Sequence, residues 1–275
     1  MVIRMLVENT TSSSEYASEH GLSLWIETEN YYVLFDTGKT DLFIRNATQM
    51  GVDLASADLA ILSHGHNDHG GGIPFFFKVN QKAPLYVHRN AFGPHFSFRD
   101  GIGEVDIGLD PSILNDSNRL CWTEGVFRIN EEMVVFDEPD SWDLYPENNA
   151  NLLVRTENGF QPDYFHHEQS LLIFSEGKTV LIAGCAHRGI LNIIERAQKI
   201  SKNPIEYVIG GFHLFSEGNK KSESKERVME LAERLNQTKC QYYTCHCTGD
   251  EPFVLLKKIM GPKIEYFRTG QILLL

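Results

Sequence analysis

No apolar run in this chain approaches the ~18 residues that a membrane-spanning helix requires, so the sequence offers no integral helical segment. Cysteine is scarce: there are five, an odd number, irregularly spaced and without a C-x-x-C pair. That argues against a disulfide framework and against a zinc ribbon. Basic residues are outnumbered, 25 Lys and Arg against 37 Asp and Glu, giving a net charge of −12. No basic run exceeds the pair at Lys220-Lys221. Such a surface repels a nucleic-acid backbone and, more weakly, an anionic membrane. Residues 1–7 are too short for the core of a signal peptide and lack a small-residue cleavage site. The expected location is the cytoplasm, and the expected partner is a small molecule rather than nucleic acid or a membrane. The 275 residues, 42% of them hydrophobic, suit one globular domain spanning 1–275.

What is present is concentrated in Ser63-His64-Gly65-His66-Asn67-Asp68-His69-Gly70-Gly71-Gly72. An apolar run, Leu59-Ala60-Ile61-Leu62, leads into it and reads as a buried strand. The glycines read as a tight exit. Imidazole nitrogens and a carboxylate at a strand tip suit zinc, and also iron or manganese. His64 and His66 fall on one side of an extended tip, while Asp68 and His69 belong to the turn beyond. Ligands so close in sequence cannot all face one ion, so the spacing fits two adjacent metals with one pair of ligands each.

The rest of the chain has a repeated plan. The runs 22–27 and 31–35 read as a hairpin ending in Asp36-Thr37-Gly38, followed by a helix (Leu42, Phe43, Ala47 and Met50 on one face) and the strand before the His-rich tip. The runs 170–174 and 179–183 read as a second hairpin, ending in Gly184-Cys185-Ala186-His187. A helix and a strand follow again, ending in Gly210-Gly211-Phe212-His213. The same sequence distance separates Asp36 from His64 and Cys185 from His213. Residues 89–120 show no sustained period and read as a lid-like insertion over the site. Near the C-terminus, Gln241-Tyr242-Tyr243-Thr244 reads as a strand ending in Cys245-His246-Cys247. Thr248-x-x-Glu251 before Pro252 reads as a helix start. The class is α/β, and the repeat predicts two halves whose strand tips share a cleft.

A two-metal site needs ligands beyond the first motif, and the other strand tips offer Asp36, Cys185, His187, His213 and His246. Cys185 reads either as a thiolate ligand or as a small buried residue. Cys245 and Cys247 would lie opposite His246 on an extended tip and so read as packing. His213 is favoured as a proton donor or substrate contact. His20 is a weaker candidate for substrate binding, and Arg188 is a candidate anion contact.

The motif H-x-H-x-D-H resembles the signature of the metallo-β-lactamase superfamily, and the resemblance spans residues 1–275. It implies a four-layer αββα sandwich. Asp36 matches the aspartate of that family's first motif, which supports ligands rather than binding strongly. His64, His66, Asp68 and His69 match the second motif, and His246 matches the final histidine. The chain departs from the pattern at residues 184–187, where a bridging aspartate is replaced by Gly-Cys-Ala-His. Together with Glu168-Gln169-Ser170-Leu171, Gly210-Gly211-Phe212-His213-Leu214 and His246-Cys247-Thr248-Gly249, this tip resembles the subgroup labelled dihydropterin–ribofuranosylaminobenzene phosphate synthases. That likeness implies His187 as the replacement ligand.

The resulting expectation is a hydrolase with two divalent ions, zinc first, acting on a phosphate- or pyrophosphate-bearing small molecule. Asp68 would orient the attacking water and His213 would protonate the leaving group. The alternatives are a transferase coupling a dihydropterin pyrophosphate to a ribofuranosylaminobenzene phosphate, and a metal- or ligand-binding sensor without turnover.

Overall fold

Runs that alternate or stay apolar for four to six residues become strands, and the amphipathic stretches between them become helices. The computed structural model describes all residues, Met1–Leu275. They divide into two compact units: Met1–Gly93 with Ile107–Glu124 and Phe267–Leu275, and Pro94–Asp106 with Gly125–Tyr266. No helix is long and apolar enough to cross a membrane.

The first unit is built on a seven-stranded sheet. Ile272–Leu274, Val2–Val7, Ser23–Glu27 and Tyr32–Phe35 pair antiparallel. Leu59–Ile61, Leu85–His88 and Leu120–Thr123 continue it in parallel. Leu59–Ile61 is buried at every position, as expected for a parallel strand covered on both faces. Helix Leu42–Gln49 buries Phe43, Asn46 and Ala47, and helix Ile73–Val79 buries Ile73, Phe76 and Phe77. Their apolar residues join Trp25, Leu34 and Leu62 in one core.

The second unit repeats this topology. Its seven-stranded sheet runs Ile264–Tyr266, Gln241–Thr244, Tyr207–Gly210 and Lys178–Ile182 in parallel. Ser170–Ser175, Met133–Phe136 and Val126–Arg128 follow antiparallel. Helix Ile190–Ile200 buries Ile190, Ile193, Ile194 and Ala197 at helical spacing. Helices Lys225–Gln237 and Asp250–Met260 complete its core, with Val228, Leu231 and Leu256 buried. The hairpin–helix–strand repeat read from the sequence is thus present in both units.

Two local expectations are revised. The stretch 89–120 is largely regular: His95–Arg99 and Gly103–Asp106 form a hairpin, and Pro111–Arg119 forms 3-10 turns. The hairpin joins Leu152–Thr156 and Gly159–Pro162 in a four-stranded sheet of the second unit. Residues Ile107–Glu124 belong to the first unit. Second, the helix after residue 248 has Gly249, at φ 75°, as its N-cap. Thr248 is used elsewhere: its Oγ1 accepts the Phe212 N–H at 3.0 Å.

Candidate metal centre

In the first unit the tip after Leu59–Ile61 closes into one helical turn, Asn67–Gly70. Backbone hydrogen bonds pin it from two neighbours. Leu22 donates to the Asp68 carbonyl at 3.1 Å, and Thr37 donates to the His69 carbonyl at 2.7 Å. The glycines beyond are there for close approach: a Cβ on Gly71 would lie 2.3 Å from the Lys39 carbonyl oxygen, and one on Gly72 would lie 2.3 Å from that of Thr37. Both are backbone atoms that cannot move aside, so only glycine fits.

This turn crowds the candidate ligands together, and the His64 and His69 ring centroids are 4.1 Å apart. His64 Nε2 lies 3.1 Å from His66 Nδ1, with the rings edge-on at 76°. Asp68 Oδ2 lies 3.8 Å from His69 Nε2 and 3.2 Å from His20 Nε2. Asp36 stands behind the tip, against Ser63 and His69. Its Oδ1 accepts the Ser63 backbone N–H at 2.7 Å, and its Oδ2 accepts Ser63 Oγ–H at 2.7 Å. The same Oδ2 is 2.7 Å from His69 Nδ1, which fixes a proton on Nδ1 and turns Nε2 toward Asp68. A carboxylate behind a histidine is the usual support for a metal ligand.

The second unit carries the other predicted residues on three tips. His187 is 1% exposed. Its Nδ1 is 3.0 Å from Asn149 Oδ1, its backbone N–H donates to Glu168 Oε1 at 2.8 Å, and Phe165 stacks on its ring at 4.2 Å. The His213 ring is 4.2 Å from that of His187. His213 is buried. Arg188 is buried. Its backbone N–H donates to Glu168 Oε2 at 2.9 Å, and its guanidinium lies over Trp142 at 4.8 Å and 3.8 Å from Glu138. Burial pushes the Glu168 carboxyl up, and the two N–H donors with the Arg188 and His213 charges only partly oppose that.

The Cys245–Cys247 tip is not extended. Residues His246–Thr248 form a 3-10 turn that swings Cys247 inward. Its Sγ accepts the His213 N–H at 3.3 Å, and Cys185, His213 and Cys247 bring ligand atoms within 4.8 Å of one another. The tip expected to be extended is therefore coiled at His246, and Cys247 is buried within it. Burial raises the Cys247 thiol, but hydrogen bonds from Cys185 and His213 and the His246 and His213 charges hold it well below its ordinary value. Gly211 makes room for this sulfur: a Cβ there would be 2.4 Å from Cys247 Sγ. The remaining cysteine of the set, Cys245, is fully buried.

Backbone conformation marks these tips. Asp36, Phe165, Ala186, His213 and His246 all have φ between 49° and 56°. Each left-handed non-glycine residue costs roughly 1–2 kcal/mol, and such strain clusters at functional positions. Sequence reading did not assign Asn149, Phe165 or Glu168 a role. Glu168 stood in a motif that gave it none, Phe165 is one of 17 phenylalanines, and Asn149 lies in an Asn-rich loop that looks like solvated chain.

The donor set fits a divalent metal. Paired imidazole and carboxylate groups face one another, and the remote nitrogens of His69 and His187 are held by Asp36 and Asn149. Comparisons with known proteins agree. The family model described as the metallo-beta-lactamase superfamily matches residues 19–223. The 7,8-dihydropterin-6-methyl-4-(beta-D-ribofuranosyl)-aminobenzene-5'-phosphate synthase of Methanocaldococcus jannaschii is 27% identical over 95% of this chain and 92% of its own. A crystallised metal-dependent hydrolase of the beta-lactamase superfamily superposes with TM-score 0.82 at 27% identity, covering 100% of this chain and 99% of that one. Zinc-bound PqqB from Methylobacterium extorquens shares the fold alone, with TM-score 0.59 and 10% identity over the whole of both chains.

Proposed function

We propose that this chain, which belongs to the metallo-beta-lactamase superfamily and has its fold, is a metal-dependent hydrolase of a phosphate- or pyrophosphate-bearing small molecule. The proposed ligands are His64, His66, Asp68, His69, His187 and His246, with Cys185 a candidate as thiolate donor or as a buried supporting residue. The ions are two in number, and zinc suits the donors best, ahead of iron or manganese. When bound, such ions act as Lewis acids that bring the pKa of a water to about 7. Asp68, whose carboxylate lies 3.2 Å from His20 Nε2, would orient an attacking water. His213, buried at its tip, is the group placed to give a proton to the leaving oxygen.

The observation that carries this reading is the crowding of imidazole and carboxylate groups at the first tip. His64 Nε2 and His66 Nδ1 face each other at 3.1 Å, while the other ring nitrogen of His69 is tied to Asp36. The test is a steady-state assay of zinc-, iron- and manganese-loaded protein on a panel of phosphomonoesters, phosphodiesters and pyrophosphates. Release of phosphate that is lost in His64→Ala and Asp68→Asn is the expected result. Full activity in metal-stripped protein would sink it.

The likeness to the M. jannaschii synthase over nearly its full length favours a second reading, a pterin-coupling transferase. Under it, the loaded protein condenses a dihydropterin pyrophosphate with a ribofuranosylaminobenzene phosphate and leaves simple phosphodiesters intact. Product detection by mass spectrometry decides between the two.

A further inference from the structure

We propose that His95, Asp163 and His167 form an additional divalent-metal site that staples the four-stranded sheet of the second unit to its seven-stranded one. None of the three was singled out as a ligand by the sequence pattern, because they come from separate segments. His95 opens the strand His95–Arg99, Asp163 follows the strand Gly159–Pro162, and His167 lies three residues before Ser170–Ser175. The strand Leu152–Thr156 brings them together. It pairs with His95 through Val154 and with Pro162 through Leu153, and the Leu152 carbonyl accepts the Asp163 N–H at 3.0 Å.

The geometry converges on one atom. Asp163 Oδ2 is 3.0 Å from His95 Nδ1 and 3.2 Å from His167 Nε2. The other oxygen, Oδ1, accepts the Phe165 N–H at 2.7 Å, so the carboxylate cannot swing away. The two imidazole rings lie 3.9 Å apart, tilted by 37°, both turned to the same oxygen. His95, Asp163 and His167 are 3%, 6% and 2% exposed. A four-coordinate ion with ligand bonds of ~2.0–2.1 Å has ligand–ligand edges of about 3.3 Å, close to the separations seen. Two imidazoles and a carboxylate at this spacing suit zinc, manganese or iron, and disfavour magnesium and calcium, which prefer oxygen alone.

The experiment is anomalous diffraction at the zinc edge on crystals of the full chain loaded with zinc alone. It is paired with metal content and thermal unfolding of wild type, Asp163→Asn and His167→Gln. The expected result is a peak bonded to His95 Nδ1, Asp163 Oδ2 and His167 Nε2. Each variant should bind one ion fewer per chain, and zinc should raise the unfolding temperature of the wild type more than that of either variant. Peaks at His64–His69 with none here would overturn this proposal and leave the tip's metal reading intact. A peak here with none at the tip would do the reverse. If both variants failed to fold, the wild-type map alone would decide.

Discussion

The Asn149 side chain grips His187 at two points: its Nδ2 donates to the His187 carbonyl at 2.6 Å, and its Oδ1 faces Nδ1 at 3.0 Å. An amide oxygen only accepts, so Nδ1 carries the ring proton and Nε2 keeps the lone pair. One asparagine therefore sets both the tautomer and the orientation of a proposed ligand. Asn149→Ala is expected to lower metal affinity or activity 10- to 100-fold, the usual effect of removing such support. Asn149→Asp, which keeps the acceptor, should recover part of the loss. Competition titration with a chelating dye reads the affinity. Unchanged affinity in Asn149→Ala would remove His187 from the ligand set.

Asp36 plays the matching part in the first unit. It accepts from Ser63 N–H and Oγ–H and holds His69 Nδ1, all at 2.7 Å. Asp36→Ala leaves those buried donors unpaired, at about 1–3 kcal/mol each. We expect both stability and metal retention to fall. Ser63→Ala removes one donor and leaves the His69 contact in place, so it should cost stability and spare most of the activity. Chemical denaturation, together with kcat/KM on the best substrate found, separates the two effects.

Gly211 and Cys247 form a testable steric pair. The alanine methyl of Gly211→Ala would sit 2.4 Å from Cys247 Sγ and 3.1 Å from the Gly184 carbonyl oxygen. Overpacking of this kind costs typically 1–3 kcal/mol. Adding Cys247→Ala should relieve much of that loss, giving a coupling free energy in a double-mutant cycle. Strict additivity would mean that the sulfur and the glycine are not in contact.

Alkaline stability should be set in the core of the second unit. Burial raises the Cys240 thiol above 9.0 and the Tyr242 hydroxyl above 10.0. The folded state then holds protons that the unfolded chain has lost, so stability falls as pH rises past about 9 and again past about 10. Tyr242→Phe should flatten the upper part of that decline, losing the 2.7 Å contact with Thr238 Oγ1 in exchange. Thermal unfolding between pH 8 and 11 follows it.

The His64–His69 tip was legible in the sequence because its ligands are contiguous and follow a buried strand. Its Asp36 support was legible because the aspartate ends a neighbouring strand. The hairpin–helix–strand repeat was legible for a similar reason: apolar periodicity is local. Asn149 and Glu168 were not, since their meaning comes from contacts 38 and 19 residues away. His95 and Asp163 are separated by 68 residues and meet only through strand pairing. The turn at residues 246–248 was misjudged because nothing in Cys-His-Cys-Thr announces left-handed backbone at His246. That conformation is imposed from outside by hydrogen bonds from Phe212 and His213 to Thr248 and Cys247.

Left-handed backbone at Asp36, Ala186, His213 and His246 also limits how far the protein can be improved. A thermostability campaign would reach first for glycine at such positions, since glycine alone adopts this conformation freely. At three of the four, the side chain is the proposed chemistry, and glycine would delete it. Only Ala186 is open to that exchange. Heat resistance must therefore be sought in the helices and outer strands, away from the tips.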